Sequence, residues 1–506
     1  MPKKSLKQFL LSDEHRLWLF GGVLGVVSVL AYLPSAWGGF VWDDLNNLGH
    51  NTRLCEWQNI LDVFVNPAMW SAEKGPGLVG TYRPLSLSLF VLDFKVWGGA
   101  PWGYHVTNIF LHLLCVITLF NLFFLMTGRS DHAFLMALIF AVHPVGVEAI
   151  AWINGRSEPI ALIFGANALC LLLRKNTGKI VDALALSVLL LLSVLGKESG
   201  VVFFFLAGFL VVIKAKKLGA ARVAVFGCAL LLALAAYFFL RQNALGAGVA
   251  PPIGKIATIL PFALGPLWFK GLQTAVLPVD RAIVMVASWA KANTSFENIL
   301  YMCLSVVIVV LAAYTLFKRQ WNLSIGIFWF LIGLLPASML IILGWPGFSR
   351  WMYIALPGLL IAFRELLVIL GKRVQWPHGK GVIVAIASAY LFLLELAIPV
   401  WGDNVELYKR TIIENPGDSY GYTSLGIVLF TQGQYLEIEK LFRKSLAIDP
   451  SDAVASMGLA MELSRRGRCH EARLIYESHM QVVDPPREFR RLFASCTEGV
   501  EQAVRE

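Results

Sequence analysis

Two adjacent acids, Asp43 and Asp44, lie in "GGFVWDDLNN" (38–47), directly after a long apolar run. A carboxylate pair suits a general base, because adjacent like charges raise one pKa toward neutrality, where a base is useful. The same pair could hold a divalent cation. The loops on this side offer no further aspartate clustered close in sequence, so a metal-free base is the preferred reading and no metal ligand or cofactor is assigned. Other ionisable residues fall at comparable positions, at the ends of apolar stretches. Tyr82 and Arg83 follow in "TYRPLS", and His105, Asn108 and His112 are spaced i, i+3 and i+7 along one helical face. "HPVGVEAIAWINGRSE" (143–158) carries His143, Glu148, Arg156 and Glu158; "GKES" carries Lys197 and Glu198; "GFSRWMY" carries Arg350 and Tyr353. The cations Arg83, Arg156, Lys197 and Arg350 suit a lipid-linked phosphate or diphosphate, whose oxygens arginine binds bidentately. Nearby Arg and Lys oppose the rise in the aspartate pKa, so either Asp43 or Asp44 qualifies as the base.

Each residue also has a plainer explanation. A single charge at a helix end is ordinarily an anchor that snorkels to water. The two histidines at 105 and 112 suit helix packing, Lys197 and Glu198 suit a structural ion pair, and the aspartates suit a helix cap. Coincidence favours chemistry: charges of both signs gather at one side of the predicted spans, and ionisable groups near hydrocarbon are costly.

The elements that must position them are apolar helices. The 506 residues are 57% hydrophobic and 15% charged, with a mean hydropathy of +0.66. A soluble protein carries about a quarter charged residues, so the fold class is an all-α polytopic membrane protein. The net charge of +10 does not mark a nucleic-acid binder, because most basic residues fall in short connections. The predicted spans are 17–37, 106–127, 132–151, 157–173, 180–196, 200–213, 222–240, 298–317, 321–343, 351–370 and 381–400. With the N-terminus cytoplasmic, seventeen basic residues lie inside, in accord with the positive-inside rule. The stretch 256–277 breaks that count and holds Pro261, Gly265, Pro266 and Lys270, so it reads as a broken, re-entrant or interfacial helix at the outer face. Eleven spans then place the acidic pair, the large loop 38–105 and everything after residue 400 outside.

Beyond residue 400 the composition becomes soluble. "NP" at 415–416 and "DP" at 449–450 and 484–485 recur at the 34- or 35-residue period of tetratricopeptide repeats. Tyr422, Leu425, Gly426, Phe442 and Pro450 fall at repeat positions, as do Leu459, Ala460, Ala472 and Tyr476. We expect a transmembrane domain over 1–400, about two repeats with a lead-in helix over 401–485, and a tail over 486–506. Cys469 and Cys496 share the last region and are candidates to pair.

The motifs "FVWDDL", "TYRPLS", "GYHVTNIFLHLL", "HPVGVEAIAWINGRSE", "GKESG" and "SRWMY", in this order and ahead of repeats, resemble the transmembrane and tetratricopeptide-repeat O-mannosyltransferases. More broadly the chain resembles the GT-C superfamily of glycosyltransferases that use polyprenyl-phosphate sugars. The resemblance implies a catalytic acidic motif at Asp43 and Asp44, donor-phosphate binding by basic residues including Arg350, and acceptor recognition by the repeats. Tyr82, His105, Asn108, His143, Glu148, Glu158, Glu198 and Tyr353 would support the site. Two departures stand out: Ser349 replaces the usual acid before the arginine, and the proline after Tyr353 is displaced to Pro357. The expected partners are a polyprenyl-phosphate sugar, a protein or glycan hydroxyl acceptor, and membrane lipid. The short array and compact membrane core point to a bacterial inner membrane with the repeats in the periplasm. A transporter of lipid-linked sugars would instead place its charges at the bilayer midplane, and an envelope assembly scaffold would need one span as an anchor.

Overall fold

The computed structural model describes residues 13–49, 51–66, 81–174, 180–245, 253–278, 296–336, 349–371 and 379–479. The chain divides into two compact units, Met1–Gly402 and Asp403–Glu506. Among the described residues every regular element is helical. The first unit contains α1 (Asp13–Tyr32), α2 (Pro84–Trp97), α3 (Pro101–Thr127), α4 (Ser130–Val142), α5 (Ser157–Leu173), α6 (Ile180–Gly196) and α7 (Val201–Ile213). It continues with α8 (Ala220–Leu245), α9 (Ile253–Val276), α10 (Phe296–Phe317), α11 (Trp321–Gly333), α12 (Met352–Gly371) and α13 (Gly379–Ala397).

Among the described residues, seven helices are long and apolar enough to cross a membrane by length and composition. An eighth arises if α4 and the following turn to Ile150, bent by 52° at His143, count as one. The remaining expected crossings, α6, α7 and α11, are shorter apolar helices. At 1.5 Å per residue, α11 spans about 20 Å against a hydrocarbon core of about 30 Å. The expected span over 321–343 continues outside the described residues.

Of the readings of 256–277, a broken helix is not what the structure has. This stretch is one unbroken helix, α9, and it lies along α10. Phe269 stacks on Tyr301 with ring centroids 4.6 Å apart, and the Ser305 hydroxyl donates to the Gly265 carbonyl. Rising numbers on one helix meet falling numbers on the other, so the two run antiparallel. Pro266 removes one backbone donor but does not end the helix.

Helices α11 and α12 approach closely. A Cβ added at Gly358 would lie 2.6 Å from Trp329 Cβ and 2.7 Å from the Phe330 backbone nitrogen. Without a hydrophobic drive between helices in lipid, close backbone approach at small residues supplies the packing. The Trp329 indole N–H donates to the Ile354 carbonyl at 2.8 Å, adding a polar tie at the same crossing.

The second unit stacks α14 (Asn404–Glu414), α15 (Ser419–Thr431), α16 (Ile438–Ile448), α17 (Ala453–Arg465) and α18 (Cys469–His479), each against the next. The recurring Asn/Asp-Pro step has a mechanical meaning. Proline cannot continue the preceding helix, and an aspartate two residues later caps the next one. Asp418 accepts from the Tyr420 N–H, and Asp452 accepts from the Val454 and Ala455 N–H groups. Helix α15 begins at Ser419 and α17 at Ala453, a 34-residue step. The buried Phe442 ring fills the space left by the missing side chain of Gly458. Cys469 is disulfide-bonded; Cys496 and the 486–506 tail lie outside the described residues.

Gly358→Leu should force α11 and α12 apart and lower stability by about 3 kcal/mol, the usual upper range for overpacking. Thermal unfolding of the purified full-length protein checks this, and an unchanged midpoint would show that the two helices do not depend on close approach.

Candidate functional site

The connection between α4 and α5 contacts most of the other elements of the site, and its sequence explains why. Pro144 stops α4, and the chain then makes two short 3-10 turns around a helical turn at Val147–Ile150. Gly155 allows the tight return, since a Cβ there would lie 2.5 Å from the Glu148 carbonyl oxygen. Asn108, on α3, donates to the carbonyls of Ile150, Trp152 and Ile153 at 3.0–3.2 Å and so fixes the connection's backbone.

The two aspartates lie in different surroundings. Asp44 is fully buried. Its carboxylate accepts from the Asn154 backbone N–H at 3.1 Å, the Asn154 side-chain amide at 2.7 Å and the Val41 N–H at 3.2 Å. Burial pushes its pKa up to about 8, opposed by the Val41 and Asn154 hydrogen bonds and by the nearby Arg156, with the charge of Asp43 adding a smaller upward push. Asp43 exposes its side chain. Desolvation by the surrounding protein still holds its carboxyl above the ordinary value, and Arg350 pulls it down. The expected rise therefore falls most clearly on Asp44, and its main cause is burial rather than the neighbouring carboxylate.

Backbone geometry accompanies this split. Trp42, just before the pair, has φ of 55°, a conformation that costs a bulky residue about 1–3 kcal/mol. Its indole packs on Trp152 at 4.8 Å and Trp401 at 6.3 Å. The Arg350 guanidinium sits 5.6 Å from the Trp42 ring and 4.9 Å from the Trp152 ring. Such cation–π contacts offset part of the strain.

Each of the four expected phosphate-binding cations has a carboxylate partner. Arg350 pairs with the buried Glu148, which also accepts from the Arg350 N–H and the Ser349 hydroxyl, both at 2.8 Å. Ser349, found where the family pattern has an acid, thus shares the acid supplied by Glu148. Lys197 pairs with Glu158, which also accepts from the Ser199 hydroxyl. Burial pulls the Lys197 pKa down to about 8, with Glu158 opposing and the charges of Arg83 and Arg350 adding to the fall. Arg83 donates through Nε to Glu198 at 2.8 Å, and Glu198 also accepts from the Tyr82 N–H. These three pairs, with Asp43, form one electrostatic group.

Arg156 differs. It is fully buried, with Nη1 2.5 Å from Asp93, Nη2 donating to the Tyr104 carbonyl, and the Phe90 ring 4.1 Å away. Its guanidinium is enclosed by α2 and α3 and does not face a site that a phosphate could enter. Its expected role is corrected accordingly: it binds Asp93 and biases Asp44 through space.

The remaining expected residues brace the site. His105 is buried against the backbone of Gly38, where an added Cβ would approach Nε2 to 3.2 Å. His143 accepts from the Val145 N–H and donates through Nε2 to the Ala275 carbonyl at 3.0 Å, tying α9 to the connection. His112 lies deeper. Its Nε2 contacts the Ala141 carbonyl, which can only accept, so Nδ1 is the acceptor for the Tyr353 hydroxyl at 2.8 Å. Tyr82 donates to the Phe64 carbonyl at 2.8 Å.

Sequence reading missed Asp93, Asn154, Trp152 and Trp401. Asp93 carried a signal, as a lone acid in the apolar stretch "PLSLSLFVLDFKVW". Asn154 carried none, since an asparagine in a loop is ordinary. Among the described residues, no three His, Cys, Asp or Glu side chains converge as metal ligands.

Comparison with known proteins places this geometry beside named relatives. No protein-family model matches the chain. It is 23% identical over 446 residues to the Caenorhabditis elegans protein O-mannosyl-transferase F38B6.6, covering 85% of this chain and 62% of the worm protein. It is 30% identical over 156 residues to mouse protein O-mannosyl-transferase TMTC4, and 31% identical over 143 residues to human protein O-mannosyl-transferase TMTC2. Each of these covers 28% of this chain, and 21% and 17% of the mouse and human proteins. The chain therefore spans less than two thirds of these relatives' lengths. Among solved structures, the oligosaccharyltransferase AglB of Archaeoglobus fulgidus, in complex with an inhibitory peptide and a dolichol-phosphate, matches with a TM-score of 0.38 and 12% identity over 81% of this chain and 60% of that one.

Two outcomes follow from the geometry. Asp93→Asn would leave Arg156 buried without its counter-charge, at a cost of about 3–5 kcal/mol measurable by thermal unfolding. For Asp44 the sign is as follows. Below the ordinary value of 3.8 both states are protonated; between there and about 8 only the unfolded chain is ionised, so folding stability falls as pH rises. Asp44→Asn removes this titration. Its unfolding midpoint should gain on the wild type as pH rises from about 5 to about 8, whereas a constant difference would show that Asp44 is ionised throughout.

Proposed function

We propose that the protein is an integral-membrane glycosyltransferase that moves a sugar from a polyprenyl-phosphate donor to an acceptor hydroxyl. Asp43 is the general base. The observation that carries this is the split between neighbours: Asp44 is buried on Asn154 and Val41, while Asp43 is exposed beside Arg350. With Asp44 held neutral by burial up to about pH 8, the charge of the pair resides on Asp43.

In the reaction, Asp43 takes the proton of the acceptor hydroxyl as its oxygen bonds to the anomeric carbon of the sugar. The bond from that carbon to the phosphate oxygen breaks, and the lipid phosphate leaves with the electron pair. Arg350, Arg83 and Lys197 stabilise the charge that builds on this leaving group. Arginine suits the task despite its carboxylate partner, because its planar fork has five N–H donors. Arg83 uses Nε for Glu198. The counter-charges Glu148, Glu158 and Glu198 keep the cluster near neutral when no donor is bound, so the anionic donor's arrival is not required for folding.

The hexose is mannose by analogy with the names of the relatives, and the acceptor is a protein Ser or Thr hydroxyl. We read the second unit as two tetratricopeptide repeats that recognise the acceptor polypeptide, on the strength of the 34-residue step and the paired aspartate caps. The Lys and Arg bias of the connections favours a cytoplasmic N-terminus and a site on the outer face, and the short array and compact membrane core favour a bacterial inner membrane.

Asp43→Asn should reduce transfer by about 10²–10⁴-fold while donor binding and thermal stability are retained. Asp44→Asn, which mimics the neutral acid, should stay within about tenfold of wild type. Transfer of a labelled sugar from a polyprenyl-phosphate donor to a Ser/Thr peptide measures both, and the reverse order of effects would move the base to Asp44.

A further inference from the structure

A second cavity lies at the opposite ends of the helices from the acidic pair. Helix α4 packs against both α12 and α13, and the space between these three holds a groove of about 310 Å³. At the site end α4 finishes, α12 starts and α13 finishes; the groove sits where α4 starts, α12 ends and α13 begins. Its walls are apolar: Leu135, Met136 and Ile139 from α4, Phe363 and Leu367 from α12, and Ile383 from α13. Along α12 the lining runs from Gly371 to Leu360, about 16 Å at 1.5 Å per residue, or about one leaflet of a 30 Å core.

The polar lining is basic. His132, Arg364 and Lys380 supply it. Lys380 Nζ lies 2.9 Å from Asp131, which it shares with Arg129 at 3.2 Å, and the Lys380 side chain is 68% exposed. Arg364 pairs with Glu365 and donates to His132 Nδ1. Among the described residues, three cations therefore face two carboxylates here, an excess of positive charge beside the groove's apolar walls.

We infer that this groove binds an anionic glycerophospholipid of the leaflet opposite the site, with an acyl chain between α12 and α13 and the headgroup phosphate at Lys380 and Arg364. Basic pockets between membrane helices attract anionic headgroups, at roughly 1 kcal/mol per cation near the surface, which is about a fivefold change in affinity. The charge selects an anionic headgroup, and the apolar walls select a chain-bearing lipid over free phosphate. The inference does not depend on the sugar-transfer reaction.

Native mass spectrometry of the purified full-length protein, titrated with phosphatidylglycerol or with phosphatidylcholine of the same chains, tests it. The wild type should retain one phosphatidylglycerol in preference to phosphatidylcholine. Lys380→Ala should weaken phosphatidylglycerol binding about fivefold and leave phosphatidylcholine unchanged. Leu367→Trp, which fills the slot, should abolish the retained lipid; Ile383→Trp obstructs it from the facing helix if the first variant does not fold. Equal retention of both lipids, or wild-type retention by a folded variant with the slot filled, would overturn the inference. Competition by inorganic phosphate as strong as by lipid would reassign the site to a free anion and overturn it equally.

Discussion

The candidate site depends on the connection between α4 and α5 being held at every few residues by a different part of the chain. His143 ties it to α9, Glu148 to the start of α12, Asn154 to the loop after α1, Arg156 to α2 and Glu158 to the turn before α7. Most of these ties are made by buried polar or charged groups. In a protein whose helices are surrounded by hydrocarbon, a broken tie of this kind leaves an uncompensated charge rather than a lost contact. The connection is therefore fixed by what its failure would cost. One consequence bears directly on chemistry: Asn154 takes Asp44 inward, and Asp43 is left outward.

The pairing of every cation also changes how the cluster works. Four positive side chains at one membrane face suggest an open anion trap. The structure instead has Arg83, Lys197 and Arg350 each on a glutamate, and Arg156 on Asp93. A leaving phosphate would then meet a preorganised and nearly neutral group that can reorient its hydrogen bonds, which favours charge that develops late in the reaction over charge that is already present. Trp42 and Trp152 fit this arrangement, because their rings hold the Arg350 guanidinium in place without spending any of its hydrogen bonds.

Much of this was legible in the residues themselves. Period and hydropathy placed the helices, and the Asn/Asp-Pro spacing anticipated α15 to α18. The acidic pair and its basic neighbours stood out because charge near an apolar run is expensive. What the residues could not convey was partnership. Arg156 and Arg350 look alike in sequence, each an arginine in a short turn near a tryptophan, yet the first is fully buried on Asp93 and the second is partly exposed on Glu148. Asp44 and Asp43 are adjacent and identical, and the distant Asn154, with the Val41 N–H, separates them. Helix α9 is unbroken for a related reason: its prolines read as local breakers, while packing against α10 carries the helix through them.

The central claim is a single displacement at the anomeric carbon with Asp43 as base, and the stereochemistry of the product tests it most directly. Reconstituted protein would be supplied with a synthetic polyprenyl-phosphate mannose of known anomeric configuration and a Ser/Thr peptide, and the new linkage read by NMR. Direct attack by the acceptor oxygen predicts an inverted anomeric configuration. Retention would mean a covalent sugar–enzyme intermediate, and with it a nucleophile rather than a base at Asp43, contradicting the account.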